Sequence, residues 1–192
     1  MISRLLNKYL SENGYNAITQ KWMKTGSRQA SSIIVPYIFK TPCSPHLAAR
    51  IEKRKISADK IIKSFRMLCK KFDVVIVEGT GGALVPFSNK DLLIDIVKRL
   101  NSPVLLVAEN KLGAINHTLL TIEALKLRKL RILGILFNTI KEKNKKIIAD
   151  NPKIIKALSG QRIFGSLSRE PSLERLYKQF QPIGKKIIRW IN

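Results

Sequence analysis

The sequence predicts a parallel α/β sheet with helices on both faces, and three observations carry that reading. Residues 73–78, 104–108 and 130–137 are short runs of Val, Ile and Leu without polar alternation, as in strands buried on both faces. Segments of helical periodicity, 90–100 and about 115–127, separate them at the spacing a crossover connection needs. Polar residues, Glu78 and Asn138, stand at the ends of two of these runs.

The chain opens in a helix: Ile2, Leu5, Leu6, Tyr9 and Leu10 fall on one face, and Asn13-Gly14 ends it. Residues 16–23 read as a strand closed by Thr25-Gly26, and 33–39 as a short apolar run before Thr41-Pro42. Pro45 starts a helical turn to about Arg50, and Ser57 caps a helix to about Lys71. The strand at 73–78 runs into a glycine loop, Gly79-Thr80-Gly81-Gly82, ahead of the helix at 90–100. After the strand at 130–137 come a basic helical region, a short strand at 162–164 and two terminal helical stretches. No repeat, low-complexity tract or linker interrupts the chain, so 1–192 reads as a single domain.

Thirty-six Lys and Arg against 13 Asp and Glu give a formal charge of +23. A nucleic-acid or anionic-membrane partner is one reading of that surplus. The basic residues are spread over every segment, however, without the interleaved aromatics that stack on bases. The composition therefore points away from nucleic acid, while the charge would still gather anionic nucleotides. Cys43 and Cys69 have no metal-ligand spacing and suit a reducing compartment as inert small apolar residues. With no signal pattern and no bilayer-length apolar stretch, a soluble cytoplasmic protein without a membrane partner is expected.

In an open parallel sheet, ligands bind beyond the carboxyl ends of the strands. That rim holds Glu78 with its glycines, residues 111–117, Asn138, the stretch from Gly165 onward, and residues 21–26. An ionised carboxylate ending an apolar strand is costly unless paired or metal-bound. Beside glycines whose backbone approaches a ligand closely, Glu78 suits Mg²⁺ and phosphate, with the capping of a neighbouring helix as the equal alternative. Lys21 and Lys24 could neutralise a phosphoryl or carboxylate group, or be solvated lysines of a basic chain. His46 and His117 each stand alone and read as structural.

Together these pieces resemble one family. Val77-Glu78-Gly79-Thr80-Gly81-Gly82 with Val85-Pro86 resembles the VEGAGG…P segment of dethiobiotin synthetases, and Lys111-Leu112-Gly113-Ala114-Ile115-Asn116-His117-Thr118 resembles their KLGxINH(T/A) segment. Gln20-Lys21-Trp22-Met23-Lys24-Thr25-Gly26, Thr41-Pro42-Cys43-Ser44-Pro45-His46 and Gly134-Ile135-Leu136-Phe137-Asn138 are similar to three further segments, collinear from Met1 to about Glu170.

The resemblance implies a P-loop NTPase-like fold and a homodimeric enzyme of biotin biosynthesis. That enzyme uses ATP and Mg²⁺ to carboxylate 7,8-diaminononanoate with CO₂ and close the ring of dethiobiotin. By position, Lys21 would stabilise the carbamate and phosphoryl intermediates, and Thr25 and Asn116 would hold substrate. Glu78 would ligate Mg²⁺, with Gly79, Thr80 and Gly81 beside the nucleotide. Asn138 and Thr139, with Ser168, Arg169 and Glu170, would meet the base. Two departures stand out. The family's first strand and its Walker A loop, G-T-D-T-x-V-G-K-T, are expected to be missing, since Met1 aligns just after that motif. No Asp or Glu lies between Gly26 and Pro42, where the family carries a metal-binding Asp. The alternatives are a degenerate, non-catalytic P-loop relative and a basic nucleic-acid-binding protein, which salt-dependent DNA binding would reveal.

Overall fold

A computed structural model of the chain describes residues 1–25 and 34–191, and of Lys24 and Thr25 the backbone alone. It divides into two compact units, Met1–Asn101 and Ser102–Asn192.

The first unit begins with α1 (Ile2–Glu12), which buries the predicted face of Leu5, Leu6, Tyr9 and Leu10. The expected strand at 16–23 is broken in two. Its first part, β1 (Ala17–Lys21), pairs in parallel with β4 (Val74–Glu78), Lys21 opposite Glu78. Its second part, β2 (Met23–Thr25), pairs in parallel with β3 (Tyr37–Phe39). The change of partner occurs at Trp22, whose N–H donates to Glu78 O at 3.2 Å, while the Lys21 N–H donates to Ile34 O at 3.0 Å. A side-chain pattern cannot show this break, because Trp22 and Met23 are both apolar and both buried.

Two helices follow, α2 (Pro45–Ile51), with proline in its first turn, and α3 (Ala58–Cys69). The Ser57 hydroxyl caps α3 by accepting from Lys60 N–H. The last helix, α4 (Leu93–Leu100), starts three residues later than the periodicity suggests. Residues 88–91 are taken up by a turn in which Ser88 Oγ donates to Asp91 Oδ2 at 2.7 Å. Trp22, Phe39, Ile61, Phe87, Leu93 and Ile96 form the centre of this unit's core.

In the second unit, β5 (Val104–Glu109), β6 (Ile132–Thr139) and β7 (Ile163–Ser168) form a parallel sheet in that order. The crossovers are α5 (Ala114–Leu127) and α6 (Lys145–Ser159), and α7 (Leu173–Ile188) packs on β7. Phe137, Ile122, Ile135 and Ile155 are almost fully buried between sheet and helices. Two expectations are corrected here. The last strand extends to Ser168, well beyond 164, because Gly165 and Ser166 interrupt the apolar signal but not the ladder. The two terminal helical stretches are one helix that accommodates Pro182 internally. Among the described residues, no helix is long and apolar enough to cross a membrane.

Candidate functional site

The register of β1 on β4 brings Lys21 and Glu78 together at the carboxyl ends of adjacent strands, as their strand-end positions predict. Lys21 Nζ lies 3.3 Å from Glu78 Oε1, and the Ser3 hydroxyl of α1 donates to Glu78 Oε2. Burial pushes the Glu78 carboxyl up, but the Ser3 hydrogen bond and the Lys21 ammonium outweigh it and hold the group below its ordinary value. The Lys21 and Glu78 side chains are 44% and 36% exposed, so the pair is screened by water. A ligand can exchange with it, and it is not a major support of the fold.

Directly after Glu78 the chain turns through Gly79, Thr80 and Gly81. Gly81 has φ +79°, and a Cβ there would lie 2.9 Å from Val85 Cγ2, so the turn requires glycine. The Thr80 hydroxyl lies 3.4 Å from Met23 O and ties this loop to β2. Lys21, Glu78, Gly79, Thr80 and Gly81 line one cavity of about 320 Å³, with Met23, Phe39, Cys43, Pro45 and Ala48 forming its other walls. Sequence reasoning missed Cys43, treated there as an inert isolated thiol. Only the resemblance of the stretch around Ser44-Pro45-His46 marks its neighbourhood. The Thr25 side chain, expected to hold substrate, lies outside the described residues, as do residues 26–33.

Among the described residues, Glu78 is the one acidic residue lining the cavity, and they hold no cluster of three or more His, Cys, Asp or Glu. A single carboxylate is compatible with Mg²⁺, which keeps several waters and takes its remaining ligands from substrate phosphates. It does not suit a metal that needs a full protein cage.

The second unit carries the remaining predicted residues. Asn116 is exposed in the first turn of α5. Gly113, at φ +85°, starts that helix in a conformation that glycine adopts without strain. The preceding segment is gripped from two sides. Asn151 Nδ2 donates to Lys111 O at 3.0 Å and to Asn110 Oδ1 at 2.8 Å, and Glu142 accepts from Leu112 N–H at 3.3 Å. The Glu142 carboxyl is held below its ordinary value, first by the Asn144 N–H. Asn110 in turn donates from its side chain to Ile148 O and from its backbone to Asn138 O. This buried amide pair ties the ends of β5 and β6 to α6, and neither asparagine is marked by any short motif.

Asn138 and Thr139 end β6, and Thr139 is the register partner of Ser168 at the end of β7. The Thr139 hydroxyl is buried and has no partner among the described residues. Arg169 and Glu170 continue from Ser168, so the residues expected at the base do gather at one strand-end corner.

A family model described as an AAA domain matches residues 4–176, through both units. An ATP-dependent dethiobiotin synthetase of Haemophilus influenzae is 40% identical over 151 residues, 68% of this chain and 79% of that protein. The chain belongs to the dethiobiotin synthetase family. A synthetase of the same name from Clostridium perfringens is also 40% identical, over 157 residues, covering 80% of this chain and 67% of its own. Another, from Halalkalibacterium halodurans, is 32% identical over 194 residues, covering 90% and 80%.

Solved structures agree at the level of fold. A plasmid partition protein from Borrelia burgdorferi superposes with a TM-score of 0.62 at 13% identity, covering 98% of this chain and 92% of its own. The MinD cell division protein of Aquifex aeolicus gives a TM-score of 0.56 at 14% identity, covering 98% and 89%. The fold is P-loop NTPase-like, with parallel strands flanked by helices.

Proposed function

We propose that the chain is a dethiobiotin synthetase of biotin biosynthesis, a ligase that uses ATP and Mg²⁺ to carboxylate 7,8-diaminononanoate and close its ring. The observation that supports this most is the Lys21–Glu78 pair beside the obligatory turn at Gly81, in a chain 40% identical to a synthetase. Carboxylation puts a negative charge on a carbamate oxygen, and activation adds a phosphoryl group to that oxygen. The Lys21 ammonium, on the wall of the cavity, is suited to neutralise both. The second amine then attacks the carbamate carbon, the C–O bond to the phosphoryl-bearing oxygen breaks, and phosphate leaves. Mg²⁺, when bound, would neutralise phosphate oxygens, and Glu78 is the residue to hold it.

Thr25 and Asn116 are assigned to the diamine substrate, and Asn138, Thr139, Ser168, Arg169 and Glu170 to the nucleotide base. We also read 1–192 as one functional domain, working as a cytoplasmic homodimer without membrane or nucleic-acid partners. The 192 residues contain no G-x-x-x-x-G-K-S/T, whose backbone N–H groups cradle a triphosphate. The polypeptide Met1–Asn192 by itself is therefore expected to turn over poorly or not at all. Supplying 7,8-diaminononanoate, bicarbonate and Mg-ATP to a polypeptide that also carries that loop, and following dethiobiotin by mass spectrometry, tests the assignment. Glu78→Gln is expected to reduce the rate about 10²-fold or more, on the scale of losing one preorganised electrostatic group. Unchanged formation in that variant would remove Glu78 from the site.

A further inference from the structure

At the amino ends of β6 and β7, the far end of β6 from Asn138 and Thr139, lies a second cavity of about 390 Å³. Lys156 and Arg162 are the charged residues of its lining, which holds no acidic residue among those described. Arg162 is held from two sides. One guanidinium nitrogen donates to Leu133 O at 3.1 Å, and the guanidinium carbon sits 3.3 Å from the centre of the Trp190 ring. Arg131 in turn donates to Trp190 O at 3.1 Å. Lysines near helix C-termini commonly serve the last carbonyls, as Lys126 does by donating to Ser159 O at 3.2 Å. Lys156, in the last turn of α6, does not: its ammonium has no partner among the described residues. Leu158 and Trp190 are exposed beside these two cations, and so is Leu127, next to Lys126. Exposed apolar residues scattered singly mean little, but these border a cavity that carries two cations.

We propose that this end of the second unit docks an acidic protein segment. One of its Asp or Glu carboxylates enters the cavity between Lys156 and Arg162, and apolar neighbours rest on Leu158 and Trp190. This goes beyond the catalytic reading and does not depend on it. A guanidinium already stacked and hydrogen-bonded loses little freedom when it meets a carboxylate. Tryptophan and arginine are also the residues that carry much of the binding energy at protein interfaces. The formal charge of +23 steers an acidic partner and repels a second copy of this chain. A concave site fits one projecting side chain better than the regular phosphates of a duplex or a lipid surface. Arg162 also covers one face of Trp190, which leaves less of it to stack on a base.

The probe is a short blocked peptide of alternating Glu and Leu, titrated into the 192-residue polypeptide and followed by calorimetry and amide NMR shifts. Shifts should gather at residues 156–163 and 190. The same peptide with Gln in place of Glu should bind about tenfold more weakly or worse, the worth of a charge-assisted contact. Because Arg162 also packs on Trp190, Lys156→Met is the cleaner variant, and it should weaken binding about threefold or more. Adding Arg162→Met should bring the loss to about tenfold or beyond. Removing the same charge at the other end of α6, with Lys145→Met and Lys146→Met, should change affinity by less than about twofold. An equal loss in that control would show diffuse attraction to a basic chain and overturn the proposal. Equal binding of the Gln peptide would overturn it as well, since no carboxylate would be recognised. Shifts at these amides caused by a DNA duplex or phosphatidylglycerol vesicles, but not by the peptide, would assign the surface to another class of partner and contradict it.

Discussion

At the end of β4 the Glu78 carboxylate accepts from Ser3 and faces Lys21, and its pKa lies below the ordinary value. A carboxyl group depressed in the folded state contributes stability above its unfolded pKa and loses it as the pH falls through the folded one. Glu78 should thus protonate at a lower pH than free glutamate, and the pair should be lost as the pH falls through that folded-state value. A carbon-detected NMR titration should place its midpoint below that of free glutamate, with Lys21→Met or Ser3→Ala moving it upward. A midpoint at or above the ordinary range would show that burial dominates and that the pair does not form. Glu78 is conspicuous in the sequence as an ionisable residue ending an apolar strand, whereas Lys21, one lysine among many, is singled out only by the family resemblance. Ser3 and Cys43 are not conspicuous: Ser3 meets Glu78 from 75 residues away, and Cys43 joins the site only as part of the cavity wall, so neither leaves a local spacing to read.

Among the elements, the loop after β4 and the loop after β5 are held by different means. The first depends on backbone conformation: Gly81→Ala should cost about 1–3 kcal/mol through strain and the clash with Val85. Gly82→Ala, where an added Cβ meets open space, should cost much less. Chemical denaturation compares the two directly, and equal costs would mean that the turn does not depend on Gly81. The second loop depends on the Asn110–Asn151 pair, at 0% and 4% exposure. Asn151→Ala leaves the buried Asn110 Oδ1 without this donor, at a cost of about 1–3 kcal/mol, while Lys111 O keeps the Ala114 N–H. A urea midpoint unchanged by Asn151→Ala would contradict this account of the loop. The alternation of strands and helices was readable because periodicity is a local property. The break at Trp22 and the extension of β7 were not, because each depends on which strand lies alongside. Apolar residues continue through the first, and a glycine and a serine punctuate the second without ending it.

For the molecule as a whole, β4 pairs with β1 alone and β5 with β6 alone among the described residues. All of β4 is only half-buried, and Val107 of β5 is 43% exposed, although strands of this composition are ordinarily covered on both faces. The polypeptide Met1–Asn192 should therefore unfold at a lower temperature than the same polypeptide preceded by a strand and G-T-D-T-x-V-G-K-T. Calorimetry showing identical transitions would count against that difference. Catalysis should follow the same division, since phosphoryl transfer depends mostly on positioning and charge stabilisation, and the phosphate cradle supplies much of both. The most direct measurement is ATP-dependent dethiobiotin formation by the loop-bearing polypeptide, by its Lys21→Ala variant and by its Lys24→Ala variant. The loop-bearing chain should form dethiobiotin, Lys21→Ala should lose about 10²- to 10³-fold in rate, and Lys24→Ala should lose far less. A loop-bearing chain indifferent to Lys21 would contradict the assignment of the Lys21–Glu78 pair as the centre of the site.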